Sequence, residues 1–222
     1  MNLRPMLIAN GILIAAMAGI SAWAWARIPD AARIPVHWGL DGAPDRFGSK
    51  LEALIAMPAV AAILTVLLLV LPRIDPRRAN IEASAKFWNA IAIGVVALLA
   101  YIHALLVATA LGMHIDMLNA MIPALSLLFV VIGNYLSKTR SNWFAGVRTP
   151  WTLSSDYSWE KTHRWSGRMF VVSGLAGLAA WFVAGAETAI VVIVAALLAT
   201  TVAAVVLSYV FWRNDPDRIA DA

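Results

Sequence analysis

Residues 134–167 read NYLSKTRSNWFAGVRTPWTLSSDYSWEKTHRWSG, a polar run set between two apolar ones. It carries Lys138, Arg140, Arg148, Lys161 and Arg164, and Arg168 follows directly. Side chains this charged cannot lie in hydrocarbon, so the chain leaves the bilayer here. That exit decides the fold, because it divides the apolar sequence on either side into separate crossings.

Working outward, the chain of 222 residues is 61% hydrophobic and 14% charged, with a mean hydropathy of +0.76. Soluble domains are about half apolar and a quarter charged, so the composition is that of a membrane protein. The pI near 9.8 does not point to nucleic acid, because the basic residues flank apolar runs, where they set topology. Cysteine is absent, which excludes disulfides, thiol catalysis and thiolate metal sites.

Six apolar runs are long enough to cross a bilayer: 7–25, 54–71, 87–111, 118–136, 169–184 and 189–212. The first is too long for a signal-peptide core and is expected to stay as a span. The fold class is therefore all-α, a polytopic membrane protein of six transmembrane helices. Residues 1–72 form an N-terminal two-helix region and residues 73–222 a C-terminal four-helix region. An ordered loop follows the first helix, and a loop with its own helix lies between the fourth and fifth. Lys and Arg counts give the orientation: thirteen fall at the amino end, in the loops at 72–86 and 134–168 and in the tail, against four (Arg27, Arg33, Arg46, Lys50) on the other side. Both termini and the 134–167 run are then cytoplasmic, in a bacterial inner membrane.

The loop at 27–50 opens with a short tandem, Ala26-Arg27-Ile28-Pro29 and Ala32-Arg33-Ile34-Pro35, which proline keeps extended. Asp41-Gly42 is a turn signal that folds the loop back. His37, Trp38, Asp41, Asp45 and Lys50 are its candidate ligand-contacting residues. One histidine with two aspartates could hold a metal or act as acid and base, but no HExxH pattern or serine elbow accompanies them.

In the 134–167 run, Gly146 suggests a turn before an extended Val147-Arg148-Thr149-Pro150. Thr152, Ser154, Ser155 and Asp156 are good N-caps for a helix that continues into the fifth span. On it Glu160 and Arg164 can pair, and Trp159 and His163 share a face. Glu160-x-x-His163 is half of a di-iron motif whose second half is missing, so no metal is assigned. His103 inside the third span and Asn134 near the end of the fourth are polar groups at membrane depth. Hydrogen bonding to a neighbouring helix is the commoner role for such residues.

Gly133-Asn134, Asn142, the run Gly146-Val147-Arg148-Thr149-Pro150-Trp151-Thr152-Leu153 and Trp159-x-Lys161-Thr162-His163-Arg164 together resemble the C-terminal signature of the SdpI family. These are immunity and signalling membrane proteins of a bacterial peptide-toxin system. Ile34-Pro35-Val36-His37-Trp38 with Gly42-x-Pro44-Asp45 is similar to the uncharacterised N-terminal domain of the same proteins, and Asp75-Pro76 with Asn80 fits the stretch between spans two and three. The resemblance implies resistance to a secreted antimicrobial peptide toxin met outside by the His37 loop. It also implies a cytoplasmic partner, an ArsR-like winged-helix repressor held at the membrane, with no direct contact to nucleic acid. The implied partner surface is Asn134, Asn142, Arg148, Thr149, Pro150, Trp151, Thr152, Trp159, His163 and Arg164. No enzymatic activity and no cofactor are implied, and the Ala- and Gly-rich helices permit an oligomer.

Two other functions are open. A small transporter or permease needs polar groups around a midplane cavity, and the second, fifth and sixth spans offer almost none; nor do internal repeats relate the two halves. A membrane-embedded metal-dependent hydrolase would have only the His37, Asp41, Asp45 group to work with.

Overall fold

Backbone N–H and C=O groups find no water in hydrocarbon, so apolar runs must satisfy them internally as helices. The computed structural model describes residues 1–220 and has that form: α1 (Arg4–Trp25), α2 (Lys50–Ile74), α3 (Arg78–Ala83), α4 (Ala85–Ala110), α5 (Met117–Leu136), α6 (Pro150–Ser154), α7 (Asp156–Arg213) and α8 (Pro216–Ala220). Five of these are long and apolar enough to cross a membrane: α1, α2, α4, α5 and α7. The protein is a mostly helical, polytopic membrane protein.

The last of the five doubles back. Gly185 interrupts α7 with φ 84 and ψ 176, a conformation that only glycine adopts cheaply. Ser158 Oγ donates to Ser208 O at 2.7 Å, although an unbroken helix would hold these residues about 75 Å apart. Ile193 packs on Gly177, and Gly174 lies against the backbone of Ser126 in α5. Gly133 and Gly167 meet backbone to backbone, so close that a Cβ on Gly133 would stand 2.4 Å from Gly167 O. Small residues thus set how near α5 and α7 approach, as is usual where lipid supplies no hydrophobic drive.

Proline in α2 has a cost that other helices meet. Pro58 has no N–H for Leu54 O, and Ser21 Oγ of α1 donates to that carbonyl instead, at 2.6 Å. Pro72 likewise frees Leu68 O, which accepts from Trp88 Nε1 of α4 at 2.8 Å. The sequence reading closes the second span at Leu71; the helix instead runs through Pro72 to Ile74 because Trp88 satisfies the freed carbonyl. His103 also finds its role here. With the Ser21 hydroxyl committed to Leu54, His103 Nε2 must donate to Ser21 Oγ, 2.9 Å away, so the imidazole steadies a helix contact.

The loop after α1 is an antiparallel hairpin of β1 (Ile34–Trp38) and β2 (Pro44–Gly48), pairing Ile34 with Gly48 and His37 with Arg46. Ile34 seals it to the bundle among Ile28, Ala53, Leu54, Leu106 and Val107. Its turn places Gly42 at φ 75 against Leu118 of α5. Met1 approaches Glu82 of α3, and Ser155 bonds Asp215. Residues near both ends of the chain therefore share one end of the bundle with 75–84 and 138–164, the arginine-rich end.

Candidate functional site

The arginine-rich end is built around residues 139–149, which have no regular structure and must place each buried backbone group on a partner. Asn142 does so as a side chain acting like backbone. Its Oδ1 accepts from Phe144 N at 2.9 Å and Ala145 N at 2.8 Å, while Nδ2 donates to Arg140 O and Ala145 O. Asp75, which follows α2, accepts from Trp143 N at 2.9 Å and from Arg77 N at 2.6 Å. Arg77 then donates to Leu153 O at 2.7 Å and to the Ser141 hydroxyl. Asn80 Nδ2 reaches Ser141 O at 2.8 Å. The segments 75–84 and 139–153 are thereby one unit.

His163 closes the unit from the side of α7. Its Nε2 accepts from Val147 N at 2.8 Å and its Nδ1 faces Trp159 O at 2.8 Å. An amide can only donate and a carbonyl only accept, so the ring is neutral with its proton on Nδ1. His163 precedes the apolar stretch of α7, and burial pushes its imidazole down to about 4. The ring stacks on Trp159 at 4.0 Å between centroids, and Trp159 Nε1 donates to Thr139. Gly146 permits the approach: its φ is 107, and a Cβ there would stand 2.3 Å from His163 Nε2.

The entry into α7 is capped twice. Thr149 and Thr152 form a capping box at α6, with Pro150 at the start of that helix. Ser155 caps α7 through Ser158 N at 2.9 Å and donates to Asp215 at 2.6 Å. Thr149 Oγ1 also donates to Ser208 Oγ at 2.9 Å, tying the caps to the returning half of α7. Trp151 packs edge-on against Tyr209 at 5.2 Å.

Four of the ten residues expected on the partner surface are inside it: Asn142, Thr152, Trp159 and His163 are buried. Their side chains hold the segment's shape. Thr149 and Trp151 are half-buried in the caps, while Arg148, Pro150, Asn134 and Arg164 are exposed. Arg164 pairs with Glu160, and Asn134 stands apart from the network. Arg148 and Pro150 remain outside, as does Trp143, which is 48% exposed; Arg148 Nη1 donates to Trp143 O at 2.5 Å. Asp75 belongs to the resemblance between spans two and three, but its role there, and Arg77 and Ser141 altogether, escape a reading by motif, because their partners lie 60 or more residues away.

At the hairpin end, His37 Nδ1 and Asp45 Oδ1 meet at 2.6 Å with the side chains 63% and 53% exposed. Asp41 does not join them; it accepts from Ala43 N in the turn. Lys50, expected to face a ligand, is buried, bonds Asp30 at 2.8 Å and lies over the Trp25 ring. Of this pair, Asp30 is the side chain left in the open. Among the described residues no three His, Asp or Glu side chains are grouped to hold a metal.

Comparison with known proteins finds matches to two parts of the chain. Residues 138–210 match the family model described as the SdpI/YfhL protein family, and residues 12–62 match a domain of unknown function, DUF1648. The chain is 21% identical over 185 residues to the immunity protein SdpI of Bacillus subtilis (strain 168), covering 82% of this chain and 84% of that one. No solved structure matches.

Proposed function

We propose that this chain, an SdpI/YfhL-family protein through residues 138–210, is a bacterial membrane immunity protein that protects the cell from a secreted antimicrobial peptide. It crosses the inner membrane six times, with Gly185 separating the fifth and sixth crossings, and keeps its arginine-rich end in the cytoplasm. The relative's name supports the immunity role. The signalling half rests on one observation: a network of buried hydrogen bonds holds an irregular segment rigid so that Trp143, Arg148 and Pro150 stand outward. Such a preformed patch, aromatic and cationic, suits a cytoplasmic protein partner such as a winged-helix repressor. A toxin shifts that patch only by binding one helix arrangement better than another.

The test is expression in a peptide-sensitive bacterium alongside a repressor-controlled reporter. Wild type is expected to raise the inhibitory peptide concentration and switch the reporter. Arg148→Ala and Trp143→Ala should insert normally and leave the reporter off. No protection by well-inserted wild type sinks the immunity reading; an unchanged reporter response in both variants sinks the partner surface.

A further inference from the structure

Six carboxylates lie at the hairpin end: Asp30, Asp41, Asp45, Glu52, Asp116 and Glu187. Three have a side-chain partner: Asp30 and Glu52 pair with Lys50 and Arg46, and Asp45 is hydrogen-bonded to His37. Asp41, Asp116 and Glu187 have no ion pair among the described residues, and these three line one polar depression around the Gly185 turn. They come from three places in the chain: the hairpin tip, the N-cap of α5 and the start of the returning half of α7. The seating of Gly42 on Leu118 brings the tip there.

Directly below runs an apolar groove of about 650 Å³, sharing Asp41 and Glu187 with the depression and walled by Ile190, Val191, Val194 and Leu198. Leu40 of the hairpin tip, 74% exposed, overhangs it. From Glu187 to Leu198 the groove is about 16 Å long, three helical turns. An acidic mouth over an apolar trough selects for one kind of occupant. A zwitterionic phospholipid brings a phosphate beside its ammonium and an anionic one brings only negative charge, so neither supplies the net positive charge that three unpaired carboxylates favour. A peptide with a cationic face and an apolar face satisfies both parts at once.

We propose that this acidic-mouthed groove, between the hairpin tip and the returning half of α7, is a docking site for a cationic amphipathic peptide lying in the adjacent leaflet. It deepens the immunity reading and takes its biological meaning from it, by placing the toxin on α7 rather than on His37. Occupancy would press on the same helix whose other end, through Ser208, holds the caps of the arginine-rich segment.

The test uses the full chain in phosphatidylcholine nanodiscs and a synthetic Leu/Lys amphipathic helix carrying a photoreactive leucine, with labelled residues mapped by mass spectrometry. Labelling is expected at Leu40 and between Ile190 and Leu198. It should fall about tenfold in Asp41→Asn/Asp116→Asn/Glu187→Gln, which keeps the turn and cap acceptors and so the fold. A Leu/Gln version of the peptide should label weakly, and Val194→Trp, which fills the exposed groove, should block labelling. Equal labelling of the triple variant, or by the Leu/Gln peptide, overturns the proposal and leaves the groove as ordinary lipid-facing surface. Protection in cells that survives the triple variant counts against the groove alone. Loss of protection in a wild-type protein that still labels counts against the immunity reading alone.

Discussion

At the arginine-rich end, Asp75, Asn142 and His163 are buried, and each spends its polar atoms on backbone groups of residues 140–147 or their neighbours. At the hairpin end, His37 bonds Asp45 and Arg46 bonds Glu52, and all four side chains are more than one-third exposed. The first arrangement over-determines an irregular chain, because each buried polar group left unpaired would cost about 1–3 kcal/mol. The second costs little to open, since exposed pairs contribute about 0–1 kcal/mol and are screened by salt. The two ends therefore differ in kind: one surface is fixed and the other yields.

That contrast can be broken in several places. The largest effects belong to glycines that no side chain can replace. Gly133→Val must push α5 from α7, because the new Cβ meets Gly167 O and Val171 N. Gly146→Ala meets both a positive φ and the His163 ring. Each should destabilise by about 3 kcal/mol or more, read as a large fall in melting temperature in detergent.

Acid should find His163 next. Its folded value near 4 lies below the ordinary 6.5, so between these pH values the unfolded segment binds a proton that the folded one does not. Stability is full above pH 6.5 and is lost as pH falls toward 4, by up to about 3 kcal/mol. Fluorescence of the stacked Trp159 reports the opening, and His163→Phe should flatten the pH dependence. An unchanged acid transition in that variant would assign it to another group.

Smaller effects are expected within the bundle. Ser21→Ala leaves both Leu54 O, beside Pro58, and His103 Nε2 unpaired, at about 1–3 kcal/mol for each. Pro58→Ala restores an N–H for that carbonyl, so Ser21→Ala should cost clearly less in that background. Additive losses in the double variant would refute the link. Smallest of all, His37→Ala or Asp45→Ala should move melting by no more than about 0.5 kcal/mol.

Much of this is legible in the sequence. Apolar run lengths place α1, α2, α4 and α5, the runs 169–184 and 189–212 both fall within α7, and Asp41-Gly42 marks the turn at the hairpin tip. Trp159 and His163 were expected on one face and are stacked. What stayed hidden is long-range. Pro72 read as a stop, because the carbonyl it frees is answered by Trp88, on another helix. Arg77 read as a topology charge, and only folding brings it to Ser141 and Leu153. Asn142, Thr152 and His163 read as surface, because polarity predicts exposure unless the partners are known, and their partners are backbone groups without a sequence signature. Asp116 and Glu187 carried no motif at all; three carboxylates from distant segments converge only when the hairpin leans on α5.

Amide hydrogen exchange of the wild-type protein in nanodiscs tests the contrast between the two ends most directly. The predicted result is slow exchange at Trp143, Phe144, Ala145 and Val147, whose amides end on buried side chains, and fast exchange along Asp45 to Phe47 on the open strand. Equal, rapid exchange at both ends would contradict a preformed platform at the arginine-rich end.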